Sequence, residues 1–239
     1  MILAPAKICR KRYRCTTLTA MPDPQELLLI RHGQSTANAA GIWQGQMEFP
    51  LSEEGRIQAR KVGKALAGER LDGIYSSPLG RAFETAEIIV RETNFPGAVV
   101  AVEGLTERRG GLLEGTTHAE RAARNPELVN KFFELPEEER WTLVGAETDE
   151  EILHRFERAL SDIRARHAAG GRVVVVSHGG VMRTFLRDRF GPEVLPGTVR
   201  AANASITRIE WVGGTPRLTE LASTQHLAPG AAPGISTVE

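Results

Sequence analysis

Cysteine is almost missing from this chain. Its two cysteines, Cys9 and Cys15, both fall within the first twenty of 239 residues. The body therefore has no disulfide framework and no thiolate metal site, as expected of a protein kept in the reducing cytoplasm. Net charge is missing too, because 30 Lys and Arg balance 30 Asp and Glu. No global positive field draws the molecule to nucleic acid or to an acidic membrane surface, although a local cationic site is compatible with that balance. Long apolar runs are also absent, so no membrane-spanning segment is expected.

What remains is an ordinary globular mixture, 41% hydrophobic and 25% charged, long enough for one large domain or two small ones. Its ends differ from its body. Residues 1–24 (MILAPAKICRKRYRCTTLTAMPDP) gather Lys7, Arg10, Lys11, Arg12 and Arg14 and close on Pro22 and Pro24. They read as a disordered basic extension with Met21 as the true start, a targeting or anion-binding arm being the sharper alternative. Residues 228–239, rich in Pro, Gly and Ala, read as a flexible tail. That leaves 25–227 as the folded domain.

Within it, four short apolar runs alternate with helical patterns: Leu27–Ile30, Gly73–Tyr75, Val99–Val102 and Val173–Val176. The first and last are continuous, as central strands covered on both faces should be. Ser52 with Glu53 and Glu54 signals a helix start. Leu79, Phe83, Ala86 and Val90 mark one stripe of a second helix. Thr148 and Glu151 have capping-box spacing ahead of Leu153, Phe156, Leu160 and Ile163, and Gly170-Gly171 closes that helix. Ile206–Val212 and Leu218–Leu221 flank Gly213-Gly214 as a hairpin or edge addition. The alternation predicts an α/β three-layer sandwich with a mostly parallel central sheet flanked by helices. Between Gly104 and Glu147 lies a longer, lid-like excursion with helical pieces at His118–Arg124 and Glu127–Phe133.

In open α/β sheets, ligands bind beyond the carboxyl ends of the strands. Arg31 and His32 follow the first run, Arg81 opens the helix after the second, Glu107 follows the third and His178 the fourth. Two histidines, two arginines and a glutamate thus share one predicted rim. Guanidinium forks suit phosphate oxygens, with helix-opening amides adding anion affinity. A metal centre is the rival, but Arg31 and Arg81 would repel a divalent cation, so a phosphoryl anion suits the rim better than a metal; no cofactor is expected. Nearby cations would keep His32 neutral and nucleophilic, with its other ring nitrogen fixed by a backbone hydrogen bond.

RHGQSTAN, SSPLGRAFETA, LTERRGGLLEG and VVVVSHGG resemble, in order, the four signatures of the histidine phosphatase (phosphoglycerate mutase-like) superfamily. The similarity runs from about Leu27 to Leu227. The resemblance implies a phosphoglycerate mutase-like fold and makes His32 the nucleophile. It makes Arg31, Arg81 and His178 holders of the phosphoryl oxygens, helped by Asn38 and the Gly179 amide. Glu107 becomes proton donor to the leaving group and then base for water. Where the mutase branch has a tyrosine this chain has Gly110. Arg121 and Arg124 stand singly where mutases have a lysine and an arginine pair, and Gln44-Gly45 replaces their Thr-Gly. The expected activity is therefore a phosphomonoesterase acting on a small-molecule phosphate ester. The alternatives are a 2,3-bisphosphoglycerate-dependent mutase and a non-catalytic phospho-ligand binding protein. Arg108 and Arg109 are either solvated loop charges or contacts to a second anionic group of the substrate. Trp43, Phe49 and Trp141 are candidates for the pocket wall, ordinary packing being their plainer role, and His118, His154, His167 and His226 have bland surface or capping roles. A monomer and a small homo-oligomer are equally compatible with the chain.

Overall fold

The computed structural model describes residues 26–167, 170–197, 199–212, 214–227 and 235–237. The basic extension at 1–24, Met21 included, lies outside the described residues, as does most of the segment read as a tail. In chain order, β1 (Glu26–Arg31) leads through α1 (Thr36–Ala39) and β2 (Ile42–Trp43) to α2 (Glu53–Leu66). Next come β3 (Gly73–Ser76), α3 (Gly80–Thr93) and β4 (Val100–Ala101). After β5 (Thr116–Thr117), the excursion carries α4 (His118–Arg124), α5 (Pro126–Glu134) and α6 (Glu137–Leu143). The chain then returns through α7 (Asp149–Arg166), β6 (Arg172–Ser177) and α8 (Gly179–Phe190). It closes with β7 (Val199–Ala201), β8 (Ile206–Val212), β9 (Thr215–Ser223) and β10 (Ile235–Thr237).

The central sheet has the order β4-β3-β6-β1-β8-β9. Its first four strands are mutually parallel, and β8 and β9 add antiparallel. Because strand side chains alternate, β1 and β6 supply both faces at once. Leu27, Leu29, Val173 and Val175 pack against Ile152, Phe156 and Ile163 of α7 and Val181, Met182 and Phe185 of α8. Leu28, Ile30, Val174 and Val176 face Val62 and Leu66 of α2 and Ala82, Ala86 and Ile89 of α3. The continuous apolar runs are continuous because both faces are covered. The three-layer sandwich is the expected one.

Details differ where exposure overrides pattern. The third strand shrinks to two exposed residues at the sheet edge. In α3 the buried face centres on Ala82, Ala86 and Ile89, with Phe83 and Val90 only partly covered. In α7 the buried position is Ile152, while Leu153 is partly exposed. Ile235–Thr237, within the segment read as a tail, pair antiparallel with β7. Among the described residues, no helix is long and apolar enough to cross a membrane.

Candidate active site

β1 and β6 run in register, Ile30 opposite Val176 and Arg31 opposite Ser177. That register delivers His32 and His178 side by side at the carboxyl edge, with ring centroids 5.0 Å apart at 58°. Both imidazoles are buried, His32 at 2% exposure and His178 at 0%. His32 Nδ1 lies 2.7 Å from the Gly33 carbonyl oxygen. A carbonyl only accepts, so Nδ1 carries the proton and the Nε2 lone pair is free.

Around His32 the donors outnumber the acceptors. Arg31 Nη1 donates to the Ala201 carbonyl at 2.6 Å. Arg81, fully buried in the first turn of α3, donates through Nη1 to Met47 O at 2.9 Å and through Nη2 to Gly45 O at 2.7 Å. Arg31 Nε, Arg81 Nε and both ring nitrogens of His178 are buried with no hydrogen-bond partner among the described residues. Gly45 holds a left-handed φ of 53°, and a Cβ there would fall 1.9 Å from the Glu114 carboxylate. Its site role therefore runs through the carbonyl that holds Arg81. Asn38 Oδ1 accepts from Ser35 N and from Asn203 Nδ2, each at 3.1 Å, which leaves its NH₂ for the cleft that it lines. Gln44 also lines the cleft, its Oε1 taken by Ser35 Oγ at 2.8 Å. Gly179 opens α8, with the Arg31 guanidinium 3.1 Å from where its Cβ would stand.

Glu107 enters from the loop beyond β4. Its carboxylate accepts from three backbone amides: Arg108 at 2.8 Å, Gly180 at 2.9 Å and Val181 at 3.0 Å. The last two belong to the first turn of α8, whose dipole favours an anion. Arg155 of α7 fixes the loop by donating to Thr106 O at 2.7 Å and Glu107 O at 3.1 Å while pairing with Glu147 at 2.6 Å. Arg108 lines the cleft, but it is not the solvated charge considered from sequence. Only 4% exposed, it bonds Thr184 Oγ1 at 3.0 Å, Glu147 O and Asp149.

Two groups at the rim had no part in the reading of the sequence. Half-buried Arg200 of β7 lines the cleft beside Arg31 and Glu107. Asn203 donates to His32 O at 3.1 Å as well as to Asn38. Both precede β8, which runs antiparallel to β1 and so begins where β1 ends. That topology was the available signal.

A model of the histidine phosphatase superfamily (branch 1) matches residues 27–224. The chain belongs to this superfamily. It is 40% identical over 167 residues, 67% of its own length and 66% of the relative's, to a metal-independent phosphoserine phosphatase of Arabidopsis thaliana. It thus spans about two thirds of that relative. It is 34% identical over 160 residues to phosphoserine phosphatase 1 of Hydrogenobacter thermophilus, covering 67% of this chain and 74% of that one. A mycobacterial glucosyl-3-phosphoglycerate phosphatase superposes with a TM-score of 0.71 at 26% identity, over 84% of this chain and all (100%) of that one.

The electrostatics of this histidine phosphatase follow from burial. Desolvation, then His178, Arg81 and Arg31, hold His32 well below the usual histidine range. His178 is lowered for the same reason, burial first and then Arg81 and Arg31. Burial also leads the lowering of Arg31 to about 10, with Arg200 and Arg81 adding to it. Burial alone would raise Glu107, but Arg200, the Gly180 and Arg108 amides and Arg81 outweigh it and hold the carboxyl below its ordinary value. The cleft therefore presents neutral imidazoles and fixed guanidiniums around one carboxylate, a field that favours a phosphoryl anion and repels a divalent cation. Trp43 lines this cleft, Trp141 lines a larger neighbouring cavity and Phe49 lines neither. Of the remaining histidines, His167 meets the Tyr75 hydroxyl at 2.7 Å and His226 the Ala204 carbonyl at 2.9 Å.

Proposed function

We propose that this histidine phosphatase hydrolyses the phosphomonoester of a small metabolite in two steps through a phosphohistidine at His32. The observation that supports this best is the set of buried, unpartnered polar atoms beside His32: the donors Arg31 Nε and Arg81 Nε, and the two ring nitrogens of His178, of which the neutral ring protonates one. Each buried donor without a partner costs about 1–3 kcal/mol, and a phosphoryl group offers the acceptors that would offset this.

In the first step the Nε2 lone pair of His32 attacks phosphorus and the ester P–O bond breaks. The leaving oxygen takes a proton from Glu107. In the second step Glu107 takes a proton from water, whose oxygen attacks phosphorus. The P–N bond then breaks and inorganic phosphate leaves, with His32 neutral again. Arg31, Arg81, His178, the Asn38 amide and the Gly179 N–H hold the oxygens, Gln44 and Gly45 shape the wall, and Arg200 adds charge at the entrance. Arg108 acts by positioning Glu107 through its backbone amide.

Glu107 is ionised in the free protein, so its proton arrives with the substrate. A monoester loses its second proton near pH ~6, and the bound phosphoryl charge offsets the arginines that depress Glu107.

Turnover of p-nitrophenyl phosphate in the presence of a chelator tests the reading. His32→Ala should lower kcat by roughly 10⁴-fold or more. The panel should include phosphoserine and glucosyl-3-phosphoglycerate, from the names of the relatives, and 3-phosphoglycerate supplied with 2,3-bisphosphoglycerate. Mutase flux above phosphate release, or a wild type inert on every ester, would sink the proposal.

A further inference from the structure

Beside the phosphoryl cleft lies a second cavity whose role nothing above assigns. The cleft at His32 is small, about 110 Å³. Its neighbour measures about 290 Å³, close to the roughly 300 Å³ at which ligand pockets begin. Trp43 and Arg200 line both spaces and form the neck between them. We propose that the larger cavity seats the alcohol portion of the substrate, and that this alcohol is bulky and apolar, of the arylalkyl kind. The inference rests on the phosphatase reading and narrows its substrate class.

The walls carry the argument. Trp43, Leu113, Leu128, Phe132, Phe133 and Trp141 line the space. Phe132 meets Trp141 edge-on with centroids 5.5 Å apart, and Trp43 lies 6.0 Å from Trp141. Five arginines line this surface, and three of them, Arg121, Arg140 and Arg183, serve it as struts. Arg121 is held by Thr116 O at 2.7 Å, and Arg183 is bound to Glu137 and the Leu195 and Gly197 carbonyls. Arg108 lies over the Trp141 ring at 4.0 Å and Arg140 over Phe132 at 5.5 Å. Guanidiniums used this way leave aromatic and aliphatic surface as the main chemistry facing a ligand.

A small core under the excursion would account for buried Leu113, Phe132, Trp141 and Val144. It does not account for Leu112 and Phe133, which line the same cavity while 65% and 53% exposed. Arg200 bridges the two halves of the site: its guanidinium stacks over Trp43 at 5.0 Å and donates no hydrogen bond to a described residue. An ester whose phosphorus sits at His32 extends past this pair onto the aromatic wall. A short alcohol such as serine would end at the Arg200 neck and leave the aromatic wall beyond it uncovered.

The test compares 3-phenylpropyl phosphate with propyl phosphate and phosphoserine. All three release primary alkyl alcohols, so differences in leaving-group chemistry are small. The phenyl ester should have a kcat/KM about tenfold or more above either of the others, the scale of discrimination that apolar pockets reach. Leu112→Asp and Phe133→Asp, both at exposed positions where folding is little affected, should each erode that preference several-fold. Equal or better turnover of phosphoserine, or a preference that survives both substitutions, overturns the assignment while the phosphatase reading stands. Binding of 3-phenylpropylphosphonate, followed by tryptophan fluorescence, separates the two claims. Binding that both substitutions weaken, with no ester turned over, supports the cavity assignment and sinks the reaction; no binding, with phosphoserine turned over, does the reverse.

Discussion

At the scale of single residues, the site is an arrangement of groups that are expensive to bury. His32 and His178 are buried in neutral form, both lowered by desolvation before any charge acts on them. The same groups in an unfolded chain take up protons near pH ~6.5. Below that value the unfolded state binds more protons than the native one, so stability falls as pH falls. Up to two histidines contribute, each about 1.4 kcal/mol per pH unit until its native value is reached. Unfolding by urea at pH 7 and pH 5.5 should show this loss, and a flat profile would contradict the buried neutral pair. Glu107 makes a sharper point about geometry. A Cβ at Gly180 would stand 2.5 Å from its Oε1, and the amides that hold the carboxylate leave it little room to retreat. If Glu107 has the acid–base role proposed for it, Gly180→Ala should fold yet lose roughly 10²-fold in kcat, the usual cost of misplacing such a group. A variant with wild-type kcat would show that the position of Glu107 is not critical.

Among elements, register and caps decide what reaches the rim. The four parallel strand ends were legible because each apolar run is followed within about six residues by its polar cargo: Arg31 and His32, Arg81, Glu107, His178. Arg200 and Asn203 were not, since they stand before β8 rather than after it. Only the antiparallel pairing of β8 with β1 brings the start of one strand to the end of the other. The excursion was legible in α4 and α5, while α6 was hidden in the charged run after Pro136, whose apolar Trp141 and Leu143 join a cluster with Leu113, Leu128 and Phe132 from elsewhere in the excursion. Capping was the clearest local signal. Thr148 accepts from Glu151 N while the Glu151 side chain accepts from Thr148 N, and the helix they start carries Arg155, which fixes the Glu107 loop. Thr148→Ala should cost about 1 kcal/mol, a fall in Tm of roughly 2–4 °C. An unchanged Tm by calorimetry would mean that tertiary packing alone sets the start of α7.

Across the whole molecule, the sheet separates chemistry from stability. Its carboxyl edge concentrates Arg31, Arg81, Arg108 and Arg200 around one glutamate, a cationic excess balanced elsewhere in a chain of zero formal net charge. At the opposite edge Glu26, Glu69 and Glu220 pair with Arg172 and Arg208 in one network. Glu26, at the start of β1, bonds Arg172 of β6 and Arg208 of β8, the latter at 2.7 Å. Glu69 joins both arginines at 2.9 Å, and Glu220 bonds Arg208 at 3.1 Å. The network thus ties the two neighbours of β1 to one another across it. Removing the central carboxylate charge leaves two partly buried guanidiniums short of a partner. Full burial would make that loss about 3–5 kcal/mol, and their partial exposure brings it to roughly 2 kcal/mol. Glu26→Gln should therefore lower Tm by roughly 4–8 °C while kcat for p-nitrophenyl phosphate stays within about twofold, because the substitution lies at the far end of the sheet from His32. Thermal scans and steady-state rates on the same preparation separate the two effects. A large loss of kcat at a temperature where the variant is fully folded would show that strain at the amino edge travels along β1 into the site, and that the division of labour between the two edges is wrong.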